Sequence, residues 1–379
     1  ILALTDHDYN TYPWNLLPQF MGGISKRNAE EMGMLAVPGN ELSKDNTNSW
    51  SERTGGQFNH HNDFFTGRQG QEFASLQESY AYTYALGGMQ IINHPGQYWS
   101  IDNTYSETQK DGPGWHANNF LTFPSLVGLE VYNQGNRRPN DRILWDQILE
   151  RTMPKRPVFG YSGDDTHNDE QLFRNYNFML MEALTTEELK DAMRKGESYF
   201  CYEPKGSGEG KAPRINRIEI DESNKTIRID TDGMVYWIYG TDKTSSAASS
   251  TRSSVVGIGN TFNYSGFQGT YVRAFITNAY GETCTQPFSF ADENTVGVEN
   301  VKDNNHLSLM LYPNPASAYV SVFMNDAPAQ AMIYVYNVNG QCVMSQEANG
   351  AYTTLPIHHL STGVYIVEVD HRVSKFVKE

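Results

Sequence analysis

Five times before position 170 a short apolar run breaks off in a cluster of metal-friendly side chains. The clusters are TDHD at Thr5–Asp8, PGNELS at Pro38–Ser43, NHHND at Asn59–Asp63, INHPG at Ile92–Gly96 and SGDDTH at Ser162–His167. Short apolar runs alternating with helical stretches are the pattern of βα units around a parallel sheet. In such a sheet the C-terminal strand ends open on one face, so residues distant in sequence meet in one site.

The strands expected on this basis are ILAL, MLAVPG, MQIINH, LVGLEVYN, PVFGYS and NYNFMLM. Helices are expected in SKRNAEEMG, GQEFASLQESYAYTYALGG, NDRILWDQILERTM and TTEELKDAMRKG. The last has Thr185 as N-cap, Glu188 as capping-box partner and Gly196 as its stop. After Lys205 the helical spacing ends. The stretch GSGEGKAP gives way to alternating runs such as RINRIEI, MVYWIYG and TYVRAFITN, which predict an antiparallel β-sandwich over 206–290. Residues 291–308 read as a polar linker, and a second all-β domain fills 309–379. The expected architecture is multidomain: an α/β domain over 1–205, then two small all-β sandwich domains.

Composition narrows the partners. With 29 basic against 44 acidic residues and a net charge of -15, the chain would repel a polyphosphate backbone, so nucleic acid is not expected. No apolar run approaches the ~18 residues of a membrane-spanning helix. The three cysteines lie far apart without a CxxC pair, which suits neither a zinc knuckle nor a disulfide framework. GYSGD has Asp164 where a nucleophile elbow needs Gly, and GSGEGKA lacks the Ser or Thr of a phosphate-cradling loop.

The strand-end clusters are better explained by metal. Imidazole and carboxylate suit zinc, manganese or iron, and a carboxylate can bridge two ions about 3.5 to 4 Å apart. The Gly and Pro turn before Glu41 aims it off a strand end. Period-two alternation along QFNHHNDFF puts His60 on one face and His61 on the other, so only one points inward, and His60 is the expected one.

TDH at Thr5–His7, PGNE at Pro38–Glu41, the His of HHN, Asn93–Pro95 and DTH at Asp165–His167 resemble, in that order, the PHP (polymerase and histidinol phosphatase) metal-dependent hydrolases. KDAMRKGESYF and TYVRAFITNAYGETCTQPF are similar to that family's secreted, carbaryl-hydrolase-like branch. The resemblance implies a distorted (β/α)7 barrel, two or three divalent ions (zinc, manganese or iron) and phosphate-ester hydrolysis by a metal-activated water. It implies that Glu41 bridges two ions, that His60 and His94 complete one, that Asp165 binds a shared ion, and that His7 and His167 hold a third. Glu41, His7 and His167 would carry the catalysis. Asp6, Asp8 and Asp164 would orient the imidazoles. Two carboxylates against two or three dications leave the pocket locally positive, which suits a small anionic substrate. The family also uses an H-x-H pair upstream of TDH. A first strand, with any signal peptide, is therefore expected to precede Ile1, and an ion held only by ligands from His7 onward is expected to bind weakly and support little turnover.

LYPNPAS, VYNVNGQ, LSTGVYIVEV and SKFVK, over 309–379, resemble the C-terminal sorting domain of the type IX secretion system of Bacteroidetes. That implies recognition by the type IX secretion machinery and release or attachment at the outer cell surface. The function expected is a secreted metal-dependent phosphoesterase. The alternatives are a catalytically degenerate metal- or glycan-binding surface protein, or a metallohydrolase of a carbamate, amide or lactone. Loops Ser43–Gly56 and Trp99–Trp115 would set specificity.

Overall fold

The computed structural model describes residues 1–5, 7, 33–43, 60–67, 75–97, 111–206, 210–241, 253–290, 309–324 and 330–379. The helix expected in SKRNAEEMG, the carboxylates Asp6 and Asp8, the linker 291–308 and most of both specificity loops lie outside the described residues.

The first part of the chain contributes strands β1 (Leu2–Ala3), β2 (Ala36–Val37), β3 (Gly39–Leu42), β4 (His61–Phe64), β5 (Met89–Ile92), β6 (Leu126–Asn133) and β7 (Phe159–Gly163). Its helices are α1 (Leu76–Ala85), α2 (Pro113–Thr122), α3 (Asn140–Thr152) and α4 (Thr186–Lys195). Strands β3 to β7 lie side by side in chain order as one five-stranded sheet. β4 runs antiparallel to both β3 and β5, whereas β5, β6 and β7 are parallel, with α2 and α3 as the crossovers.

This corrects the expectation of a distorted (β/α)7 barrel. The sheet is open and mixed, the described residues hold four α-helices among far more strand, and no barrel closes. The next two strands, β8 (Asn175–Met179) and β9 (Ser198–Tyr202), leave the first sheet and pair antiparallel with each other. An apolar run signals that a strand forms, but its direction is set by the neighbours it finds. Helix α4 shows the local rules at work: Thr185 Oγ1 accepts from the Glu188 N–H at 3.2 Å, and Gly196 closes the helix at φ 70°. Helix α2 starts with Pro113 at N1, a position where the missing N–H costs nothing.

Two cores cover the two faces of the sheet. Tyr80, Phe120, Leu144, Trp145 and Ile148 from α1, α2 and α3 pack on Leu129 and Val131. Leu189 and Met193 of α4 pack on Met89, Val127 and Phe159. All eight residues of β6 are buried as a result.

The second part supplies β10 (Ile215–Asp221), β11 (Thr226–Thr231), β12 (Met234–Thr241), β13 (Ser253–Ile258), β14 (Thr261–Asn263), β15 (Tyr271–Thr277), β16 (Glu282–Thr285) and β17 (Phe288–Ser289). β9 pairs with β16, so one sheet in the order β13-β12-β15-β16-β9-β8 runs across residue 205. β10, β11 and β14 form the facing sheet, with Trp237, Ile229, Phe262 and Ile276 in the core. The C-terminal sandwich comprises β18 (Met310–Tyr312), β19 (Tyr319–Phe323), β20 (Met332–Asn337), β21 (Cys342–Glu347), β22 (Tyr352–Pro356), β23 (Gly363–Val369) and β24 (Arg372–Lys378). Its sheets, β18-β19-β22 and β21-β20-β23-β24, enclose Val320, Val322, Leu355, Val335, Val367 and Phe376.

Candidate metal centre

The antiparallel direction of β4 builds the site. Strand β4 begins where β3 and β5 end, so His60, just ahead of β4, meets Glu41 near the end of β3 and His94 just past β5. The Asn93 N–H donates to the His60 carbonyl at 2.8 Å and ties the two histidine-bearing segments together. His7 arrives from the end of β1 through an isolated parallel bridge to Glu41.

Three imidazoles converge on one carboxylate. His60 Nδ1 lies 2.9 Å and His94 Nε2 3.4 Å from Glu41 Oε1, and His7 Nε2 lies 3.8 Å from Glu41 Oε2. The rings of His60 and His94 have centroids 5.1 Å apart, those of His7 and His60 5.2 Å. One ligand atom from each of His7, Glu41 and His60 fits within 4.8 Å of the others. Burial pushes the Glu41 carboxyl up, but hydrogen bonds from His60 and His94, with the attraction of His60 and His7, outweigh it and hold the group well below the usual range. His61 faces the other way. It is buried, with Nε2 2.9 Å from Ser79 Oγ on α1.

Glu130 was not among the residues expected at the site. It sits inside β6, and its Oε2 accepts the His94 N–H at 2.8 Å and an Asn133 Nδ2–H at 2.9 Å. Burial, and then the negative charges of Asp165 and Glu41, push its carboxyl well up, with those two hydrogen bonds only partly offsetting them. A carboxylate in an otherwise fully buried apolar strand is costly, and that is the signal the run LVGLEVYN carried. Gly163 opposite leaves the space it needs, since an added Cβ would stand 2.1 Å from Glu130 Oε1.

Asp165 lies beyond Glu130. Its Oδ2 accepts from Asn133 at 3.2 Å and Gln134 at 3.1 Å. His167 pairs with it, Nδ1 3.4 Å from Asp165 Oδ1, and its side chain is 59% exposed. The structure thus groups His7, Glu41, His60 and His94 tightly, and sets Asp165 and His167 apart as a pair at the rim, linked to His94 through Asn133 and Glu130. Among the described residues Asp164 meets backbone rather than an imidazole: its oxygens accept the N–H groups of Phe173, Arg174 and Asn175 and close a loop. Among the described residues no Lys or Arg forms an ion pair with Glu41, Glu130 or Asp165.

Comparison with known proteins gives one family match, to the secretion system C-terminal sorting domain over residues 310–379. No match to the PHP hydrolases accompanies it. No curated protein matches the chain. Among solved structures, PorZ, a surface component of the type IX secretion system of Porphyromonas gingivalis, is 12% identical, with 48% of this chain and 28% of that one covered at a TM-score of 0.18. Dimeric latent PorU from the same organism is 13% identical, with coverage of 45% and 20% and a TM-score of 0.17. Native alpha-2-macroglobulin from Escherichia coli is 10% identical, with coverage of 40% and 57% and a TM-score of 0.15. The chain spans well under two thirds of each, and at these scores nothing transfers from them. No helix among the described residues is long and apolar enough to cross a membrane. Residues 310–379 are a type IX secretion C-terminal sorting domain, and the protein that carries them is secreted or attached to the outer cell surface.

Proposed function

We propose that this protein is a secreted metal-dependent hydrolase of a small anionic ester, a phosphoester first. One observation carries the reading: three imidazoles gather on the buried carboxylate of Glu41. The motif order that resembles the PHP hydrolases supports it. The donor set fits a divalent ion. Imidazole and carboxylate are the ligands of zinc, manganese and iron, and Asp165 adds a carboxylate that no Lys or Arg among the described residues pairs with. His7, Glu41, His60 and His94 would hold one ion, and Asp165 with His167 a second. Bound there, a divalent ion supplies Lewis acidity toward a phosphoryl oxygen and a water of lowered pKa.

The chain's own part is to position. Glu41 faces His60 Nδ1 and His94 Nε2 and so gathers the ring nitrogens that would hold the ion with it. Glu130 holds the His94 backbone at φ 30°, a conformation an L residue rarely keeps without such a restraint. Exposed His167 is oriented by the backbone, its Nδ1 lying 2.9 Å from the Asp165 carbonyl oxygen.

The test is hydrolysis of chromogenic phosphomonoesters and diesters by the full-length protein loaded with zinc, manganese or iron, beside a panel of carbamates, amides and lactones. Turnover of a phosphoester that falls at least 100-fold in Glu41→Gln is expected. Turnover confined to the other panel would move the substrate class. Metal-replete protein that hydrolyses nothing would refute the hydrolase and leave a metal- or glycan-binding surface protein.

A further inference from the structure

The sorting domain does more than follow the rest of the chain; it packs on it. In β19 the residues alternate between two buried faces. Val320 and Val322 point into the sandwich, whereas Phe323, wholly buried, joins the core of the first domain together with Met310, Tyr312, Ala351 and Tyr352. Tyr312 stacks edge-on against Phe123 at 5.8 Å and Tyr352 against Tyr82 at 5.9 Å. The Tyr319 hydroxyl donates to Glu78 Oε1 at 3.1 Å. Tyr312 is hydrogen-bonded to Ser75, the N-cap of α1.

Helix α1 is therefore held from two sides at helical spacing. Glu78 and Tyr82, four apart, meet the sorting domain. Ser79 and Thr83, also four apart, meet β4: Ser79 Oγ lies 2.9 Å from His61 Nε2, and Thr83 Oγ1 donates to Asp63 Oδ2 at 2.5 Å. Strand β4 follows directly on His60, which touches Glu41.

We propose that the sorting domain braces the candidate metal centre in cis: its outer β18-β19-β22 face docks on α1, α1 fixes β4, and metal affinity depends on the dock. The coupling to metal rests on the reading under Proposed function; the dock itself does not. Tyr319, Glu78 and Ser79 are on this view positioning residues. The segment that addresses the protein for export thus also completes the rigid backing of its site.

The experiment uses the full chain with Tyr319→Phe, which removes one hydrogen bond to a buried carboxylate, and Glu78→Gln, which alters the same contact from the other side. Val373→Ser, on the far sheet, is the control. Two readouts are taken: hydrogen exchange of the α1 amides, and zinc affinity by chelator competition. Both interface variants are expected to speed α1 exchange about tenfold and weaken zinc binding roughly 3- to 10-fold, with the control unchanged. Exchange at the wild-type rate in both variants overturns the dock. Faster exchange with zinc affinity unchanged overturns the coupling. If wild-type protein takes up no zinc, the metal reading fails on its own account, while the exchange rates still decide the dock.

Discussion

Arg273 and Asp146 join the first two domains through a fully buried ion pair, and its removal should be among the costliest single changes in the molecule. Arg273 Nε and Nη2 each donate to Asp146 at 2.7 Å, the residues being 1% and 0% exposed. Ser253 Oγ donates to the same carboxylate, the Tyr271 hydroxyl lies 3.3 Å from it, and the guanidinium stacks on Trp145 at 4.8 Å. Burial alone would depress the Arg273 pKa, but Asp146 more than offsets it and raises it. Asp146→Asn leaves a guanidinium without its counter-charge in a dry interface, an expected loss of about 3–5 kcal/mol. At roughly 2–4 °C per kcal/mol that is about 10 °C in Tm. Replacing both partners, Asp146→Leu with Arg273→Met, removes charge and counter-charge together and is expected to recover most of the loss, to within about 1 kcal/mol of wild type. The assay is a urea double-mutant cycle followed by tryptophan fluorescence, since Trp145 and Trp237 flank the junction on the two sides. A single Asp146→Asn cost below about 1 kcal/mol, or a double variant worse than either single one, would refute the reasoning.

Gly128→Ala would set a methyl 2.1 Å from the Phe159 carbonyl across the β6/β7 pair; a loss of about 1–3 kcal/mol is expected in the same urea titration. His116 is held by burial at a pKa of about 3. The unfolded chain takes up a proton below about pH 6.5 and the native state does not until about pH 3, so stability falls as pH falls through that window. Between pH 6.5 and 5 this costs about 2 kcal/mol; His116→Gln should flatten that slope in pH-dependent unfolding, and an unchanged slope would count against it. Gly163→Ala should push Glu130 off the His94 N–H and weaken zinc binding roughly tenfold, read by chelator competition.

Much of this was legible in the sequence. The run LVGLEVYN coincides with β6, the caps of α4 follow from Thr185, Glu188 and Gly196, and the alternating runs beyond Lys205 form the antiparallel sheets. What the sequence hid was direction. NHHND reads the same whichever way its strand runs, and only pairing with β3 and β5 made β4 antiparallel and opened the sheet. Helix α2 escapes pattern reading because buried His116 and Asn119 interrupt its apolar period. Glu130 escapes it because a lone acid within an apolar strand looks like part of the run rather than a charge that needs partners. The clustering of His7, Glu41, His60 and His94 survives the loss of the barrel because it depends only on where strands begin and end.

Zinc stoichiometry and affinity of the purified protein, measured for wild type, Glu41→Gln and His358→Ala, test the central claim most directly. The account predicts bound zinc in wild type and in His358→Ala, whose imidazole lies in the sorting domain, and an affinity at least 100-fold lower in Glu41→Gln. Zinc held as tightly by Glu41→Gln as by wild type, or no zinc in either, would contradict it.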